Sequence, residues 1–265
     1  MEVRGVAKVE VERREAVTVL TINRPEVHNA VDGETAELIT EAIEAFATDD
    51  DQRVLVVTGA GGKAFCSGAD LKDAPSLLAR PDAQRTGPMG FSSIDPGKPT
   101  IAAVEGFCFA GGLELAAWCD LRVASTTAEF GALSRRWGVP YVDGGTQRLP
   151  RIVGTGNALY LLVTGVRIDA RRAYDMGLVQ ELVPAAHALD RGVQLAGHVA
   201  AYPQTSLRAD RASALETFDR PLGDGLILER ERGIPTAFDS ELAEAIRRFA
   251  SGDRPEPPRP PPMPD

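Results

Sequence analysis

The stretch Gly106-Phe107-Cys108-Phe109-Ala110-Gly111-Gly112-Leu113-Glu114 decides how this chain folds. Ahead of it, Pro99 to Val104 resumes an apolar run, the pattern of a strand covered on both faces. Behind it, Leu113 to Trp118 opens a helix. The glycines between them allow a sharp turn and bring backbone N–H groups close to a ligand. A helix's first turn has free N–H groups, and its dipole favours negative charge. Gly111 is therefore placed to donate to a developing oxyanion. Glu114, between Leu113 and Leu115, is a carboxylate in apolar surroundings, costly unless used or paired. The same residues also read as an ordinary helix cap, with Glu114 satisfying its own first turn. Local chemistry leaves both readings open.

Outward from this turn, strands and helices alternate. Val6 to Val11 and Val17 to Ile22 read as two strands across a charged turn, Glu12 to Glu15. Leu38, Ile39, Ala42, Ile43 and Phe46 recur at helical spacing, so a helix is predicted over Gly33 to Ala47. Val54 to Val57 is a buried strand, and Gly59 to Gly68 a glycine-rich segment. From Lys72 to Lys98 the pattern dissolves, apart from a short helix near Pro75 to Leu78; a stretch that long reads as a lid or mobile flap. Further on come a strand at Asp120 to Ala124, a helix around Gly156 to Leu162, a helix at Ala170 to Met176, a strand at Leu178 to Val183 and a helix at Ala185 to Ala200. Beyond Tyr202 strand propensity fades, and helices are expected at Ser206 to Thr217 and Phe238 to Phe249. Seven of the last eleven residues are proline, so that run is extended or disordered. The fold class is α/β: a core over 1–200, a helical segment over 201–252 and a Pro-rich tail over 253–265.

Composition narrows the function. The 265 residues are 43% hydrophobic and 25% charged, as in ordinary globular proteins. A net charge of -9 argues against binding nucleic acid or an anionic membrane surface. Cys66, Cys108 and Cys119 are too few for a disulfide framework, and with His28, His187 and His198 scattered singly no metal spacing is visible. No secretory signal and no long apolar span is seen, so a reducing, cytoplasmic setting is expected. His28 is a minor candidate for a pocket residue, thiol catalysis by Cys66 or Cys108 is disfavoured, and Trp118 and Trp137 read as core.

Four segments together carry a resemblance. Asn23-Arg24-Pro25 with Asn29-Ala30, then Ala64-Phe65-Cys66-Ser67-Gly68-Ala69-Asp70-Leu71, then Gly111-Gly112-Leu113-Glu114-Leu115, then Gly144-Gly145-Thr146-Gln147-Arg148-Leu149 resemble the enoyl-CoA hydratase/isomerase (crotonase) superfamily in order and spacing. The resemblance implies a spiral of strand-strand-helix turns, with a C-terminal helical segment that mediates homotrimers or dimers of trimers. It implies no tightly bound cofactor and an acyl-coenzyme A thioester as substrate. By motif match, the N–H groups of Ala69 and Gly111 form an oxyanion hole, and Glu114 is the catalytic acid/base. Val27, Ser67, Gly68, Asp70, Leu71 and Phe107 border the coenzyme or substrate. The expected reaction is hydration of an enoyl thioester; double-bond isomerisation and acyl-CoA binding without turnover are the alternatives. One departure matters. Where the family's hydratases carry a second glutamate, this chain has Ser134, whose hydroxyl is no carboxylate base. Asp143 either replaces that acid or caps the following helix. Arg135 and Arg136 either pair with acids at a subunit or surface contact, or one of them enters the pocket and fixes a polar acyl group or the Glu114 carboxylate.

Overall fold

Residues 7–264 are described by a computed structural model. In chain order, β1 (Val9–Arg14) and β2 (Val17–Ile22) form an antiparallel hairpin, followed by α1 (Gly33–Thr48), β3 (Val54–Gly59) and β4 (Ala64–Cys66). Two short helices, α2 (Ala74–Ala79) and α3 (Ala83–Thr86), precede β5 (Thr100–Val104), β6 (Phe107–Phe109), α4 (Gly111–Trp118), β7 (Leu121–Ser125) and β8 (Glu129–Gly131). Then come α5 (Gly145–Thr164), β9 (Ile168–Asp169), α6 (Ala170–Asp175), β10 (Glu181–Val183) and α7 (Ala188–Ala200). The helices α8 (Gln204–Leu215), α9 (Leu222–Thr236) and α10 (Ser240–Ala250) complete the order.

Three successive strand pairs build two sheets at once. The first strands of the pairs, β3, β5 and β7, lie side by side in a six-stranded sheet of order β1-β2-β3-β5-β7-β10. The second strands, β4, β6 and β8, fall into a four-stranded sheet of order β4-β6-β8-β9. Each turn of the chain thus adds one strand to each sheet, giving the crotonase-like spiral. Alternation along the strands divides the core. Val54, Val56, Ile101 and Ala103 face α7, while Leu55, Val57, Ala102 and Val104 join the main core with Ile39, Ile43 and Phe46 of α1. A Cβ on Gly192 of α7 would lie 3.2 Å from that of Ala103, so the glycine lets this helix sit close on the sheet.

Several boundaries differ from expectation. The strand read from Val6 runs instead from Val9 to Arg14, with the turn at Glu15, whose φ is 55°; Val6 itself lies outside the described residues. Alternating Glu and Arg at an exposed sheet edge looks like a turn because nothing there needs to be apolar. Within the two glycine-rich segments, β4 and β6 are strands of three residues each, too short to show a period. The region 145–164 is helical throughout, broken at Gly154 with φ 75°, rather than starting near residue 156. The helix α9 was not anticipated; its glycines at 223, 225 and 233 and its Pro235 weaken the helical signal. The stretch expected as a flap holds α2 and α3 and is pinned. Buried Arg80 donates to the carbonyls of Gly87 and Pro88 at 3.2 and 3.0 Å, and Leu77, Met89 and Phe91 are buried in the core. Residues 253–264 of the Pro-rich tail form neither helix nor strand, and Arg191 donates to the Arg259 carbonyl at 2.9 Å.

Candidate active site

The first motif is scaffolding. The Asn29 carboxamide oxygen accepts the Arg24 N–H at 2.9 Å, and its NH₂ donates to the carbonyls of Ala60 and Ala64 at 2.9 and 2.7 Å. The Arg24 guanidinium pairs with Asp32 at 3.0 Å and Asp70 at 3.1 Å. These bonds fix the loop that leaves β4 against the loop that enters α1. Asp70 is thereby committed to structure.

Two backbones then converge. The loop after β4 bonds to Val31 on both sides of Ala69: Val31 N–H donates to the Gly68 carbonyl, and Asp70 N–H to the Val31 carbonyl, at 2.9 and 2.8 Å. The Ala69 N–H is left between them. On the neighbouring strand, Ala110 takes φ 52°, in the left-handed half of the backbone map, and turns β6 directly into α4. The Gly111 N–H opens that helix and has no intrahelical acceptor. Among the described residues, no acceptor is bonded to the N–H of either Ala69 or Gly111. Close approach needs Gly68, whose φ is 98° and where a Cβ would stand 2.7 Å from the Gly111 nitrogen.

Both residues line a cavity of about 400 Å³. Glu114, Ser134, Tyr141 and Asp143 line it too, within walls formed by Leu71, Leu77, Met89, Leu133, Val139 and others. Glu114 is 3% exposed. One carboxylate oxygen, Oε1, accepts the N–H groups of Asp143 and Gly145 at 3.0 and 2.9 Å; Oε2 has no protein donor among the described residues. Burial pushes the carboxyl up to about 7, the nearby Asp143 charge adds to this, and the two N–H bonds and Arg148 pull against it. Glu114 is thus poised to hold or release a proton near neutrality. It does not cap its own helix.

Asp143 is 2% exposed, and it does not cap α5 either. Its Oδ1 accepts the Met89 N–H at 3.1 Å, tying the 74–98 stretch to the site. Burial raises its pKa, opposed by the bonds from Met89 and Ser92 and by the charges of Arg80 and Arg148. Among the described residues, the Ser134 hydroxyl, 7% exposed by residue, and the buried Tyr141 hydroxyl have no hydrogen-bond partner. An unsatisfied buried hydroxyl costs about 1–3 kcal/mol, so a ligand or water that bonds to these groups recovers it. Sequence reading missed Tyr141; its place two residues before the Asp143-Gly144-Gly145 turn was the available signal.

The remaining candidates divide. Ser67 and Leu71 line the cavity; Val27, Gly68, Asp70 and Phe107 do not. The Ser67 hydroxyl donates to the Val27 carbonyl at 3.5 Å. Phe107 stacks on Phe109 with ring centroids 5.1 Å apart, and the Arg167 guanidinium covers both rings. His28 lies against Phe107, outside the cavity. Trp118 is core as expected, its indole N–H bonded to the Ile94 carbonyl, but Trp137 is 70% exposed and lines the cavity. Arg135 and Arg136 make no ion pair within the chain among the described residues, and Arg136 lines the cavity. The three cysteines are buried, with Cys66 pushed up to about 12 by burial, so none is a nucleophile at neutral pH. Among the described residues, no cluster of His, Cys, Asp or Glu is arranged to hold a metal, and no helix is long and apolar enough to cross a membrane.

Comparison with known proteins agrees with this geometry. Residues 12–252 match the family model described as enoyl-CoA hydratase/isomerase. The chain is 37% identical to a crotonyl-CoA hydratase of Syntrophomonas wolfei, over 83% of this chain and 86% of that protein. It is likewise 37% identical to an (E)-benzylidenesuccinyl-CoA hydratase of Thauera aromatica, over 80% and 83% of the two chains. Among solved structures, an enoyl-CoA hydratase from Mycobacterium marinum superposes with a TM-score of 0.88 at 31% identity, over 94% of this chain and 98% of that one. The chain belongs to the enoyl-CoA hydratase/isomerase (crotonase) superfamily.

Proposed function

We propose that this enzyme is an acyl-CoA lyase of the hydratase type, adding water across the Cα–Cβ double bond of an enoyl thioester. The observation that carries the reading is Glu114: a buried carboxyl with one oxygen fixed by two N–H groups and the other free, in the cavity that Ala69 and Gly111 line. The thioester carbonyl accepts from the Ala69 and Gly111 N–H groups. Charge that develops on that oxygen as the α carbon becomes enolate-like is met by donors already in place, an effect worth several kcal/mol. As the water oxygen bonds to Cβ, Oε2 of ionised Glu114 takes one of its protons, the π electrons of the double bond move toward the thioester oxygen, and Oε2 then delivers the proton to Cα. Coenzyme A is held as part of the substrate, along the segment Ser67 to Leu71. Supporting a homotrimer or dimer of trimers, α9 and α10 bury no residue and expose Leu222, Ile234, Ile246 and Phe249.

A second reading, double-bond isomerisation, is favoured by one observation: Ser134 offers only a hydroxyl, and Oδ1 of Asp143 is committed to the Met89 N–H, so Glu114 alone serves both proton transfers. One carboxylate suffices to remove a proton at Cα and return it at Cγ. Parallel assays with 2-enoyl- and 3-enoyl-CoA thioesters separate the two reactions. On whichever is turned over, Glu114→Gln is expected to lower kcat by about 100-fold or more while coenzyme binding changes little. Near-native turnover by that variant assigns the chemistry to another group.

A further inference from the structure

The cavity's polar groups are not all used by this chemistry. Ala69 and Gly111 serve the thioester carbonyl, Glu114 the proton, and Asp143 the Met89 N–H. Three groups on one wall remain. Ser134 and Arg136 lie in the 3₁₀ turn Leu133–Trp137, and Tyr141 in the loop that follows. Both hydroxyls are buried and have no partner among the described residues. Among the described residues, Arg136 is the only cation lining the cavity, and no carboxylate pairs with it. All three can donate hydrogen bonds, and the guanidinium can only donate. What answers to such a set is an acceptor-rich anion, and a carboxylate matches the planar fork of an arginine. The rest of the lining is largely apolar, with Leu71, Leu77, Leu133 and Val139 contributing. A volume of about 400 Å³ is within the range of drug-sized ligands, ample for more than a short alkyl chain.

We propose that the acyl groups this site selects carry a second carboxylate, paired with Arg136 and hydrogen-bonded by the hydroxyls of Tyr141 and Ser134. The inference rests on the enoyl-CoA reading above and deepens it by naming the substrate class.

The other anion that an arginine at this rim would meet is a phosphate of the coenzyme, and the test separates the two. kcat/KM is measured for a matched pair of enoyl-CoA thioesters, one ending in methyl and one in carboxylate, with wild type, Arg136→Gln and Arg136→Lys. Arg136 is exposed, so these variants are expected to fold. The wild type should prefer the carboxylate-ended thioester, and Arg136→Gln should erase the preference, a selective loss of about 10- to 100-fold. Arg136→Lys should recover part of it, keeping the charge without the fork. Tyr141→Phe should also lose more on the carboxylate-ended substrate. Equal losses on both thioesters in Arg136→Gln would assign the arginine to the coenzyme phosphates and overturn the proposal, as would a wild type that prefers the methyl-ended substrate. Turnover of neither thioester by the wild type would count instead against the enoyl-CoA reading itself.

Discussion

Glu114 shows how one side chain takes its properties from its surroundings rather than its neighbours in sequence. An ordinary glutamate ionises near 4.5; burial holds this one to about 7. Between those values the folded state keeps a proton that the unfolded chain has released. The stability this provides is complete below about 4.5 and is lost as pH rises to about 7, a decline on the order of 3 kcal/mol. Asp143 is raised in the same direction, whereas Asp32, held at about 2 with help from Lys8 and Arg24, stabilises above 3.8 and loses its effect in acid. Urea unfolding at pH 4.5 and pH 7.5 isolates Glu114: the wild type should lose more stability over that interval than Glu114→Gln. Equal losses would mean that the carboxyl has no raised proton affinity. That Glu114 sits in apolar company was legible in Leu113 and Leu115. That two N–H groups from residues 143 and 145 would hold it was not, because the turn bringing them there is distant in sequence.

At the scale of elements, the design turns on a parallel pair of three-residue strands, β4 and β6, whose exits must nearly touch. Gly68 is the narrowest point. Gly68→Ala forces a side chain into a backbone conformation that L residues rarely adopt and toward the Gly111 nitrogen. Separating Ala69 from Gly111 by even a fraction of an ångström spoils a preorganised donor pair. A fall in kcat of about 100-fold is expected, on the scale of losing one oxyanion donor. Steady-state kinetics at saturating substrate, with circular dichroism to verify folding, would expose a merely spacer role if kcat stayed near native. Long periodic elements such as α1 and β3 were readable from their apolar spacing. The short strands were not, since three residues carry no period; in the segment between them α2 was legible near Pro75, but its anchoring by an arginine that binds main-chain carbonyls was not.

The molecule as a whole ends in helices that lack a core. Exposed Phe218, Leu222, Ile234, Phe238 and Phe249 belong to α9, α10 and their approaches, an apolar surface that a monomer would leave in water. A closed cyclic oligomer covers such a surface with copies of itself. Light scattering at micromolar concentration is expected to give a mass of three or six chains of 28.3 kDa; a mass of one chain would reject the assembly. The α/β core and the helical end were both visible as a change in pattern near Tyr202, but the exposed face became apparent only once α9 was in place. The interior, by contrast, has a practical use. Cys66, Cys108 and Cys119 are all buried, and burial raises each thiol. The native protein therefore offers maleimide reagents a silent background, and one cysteine introduced at exposed Leu78 on the cavity wall would carry a fluorophore alone, turning the arrival and departure of each substrate molecule into an optical signal.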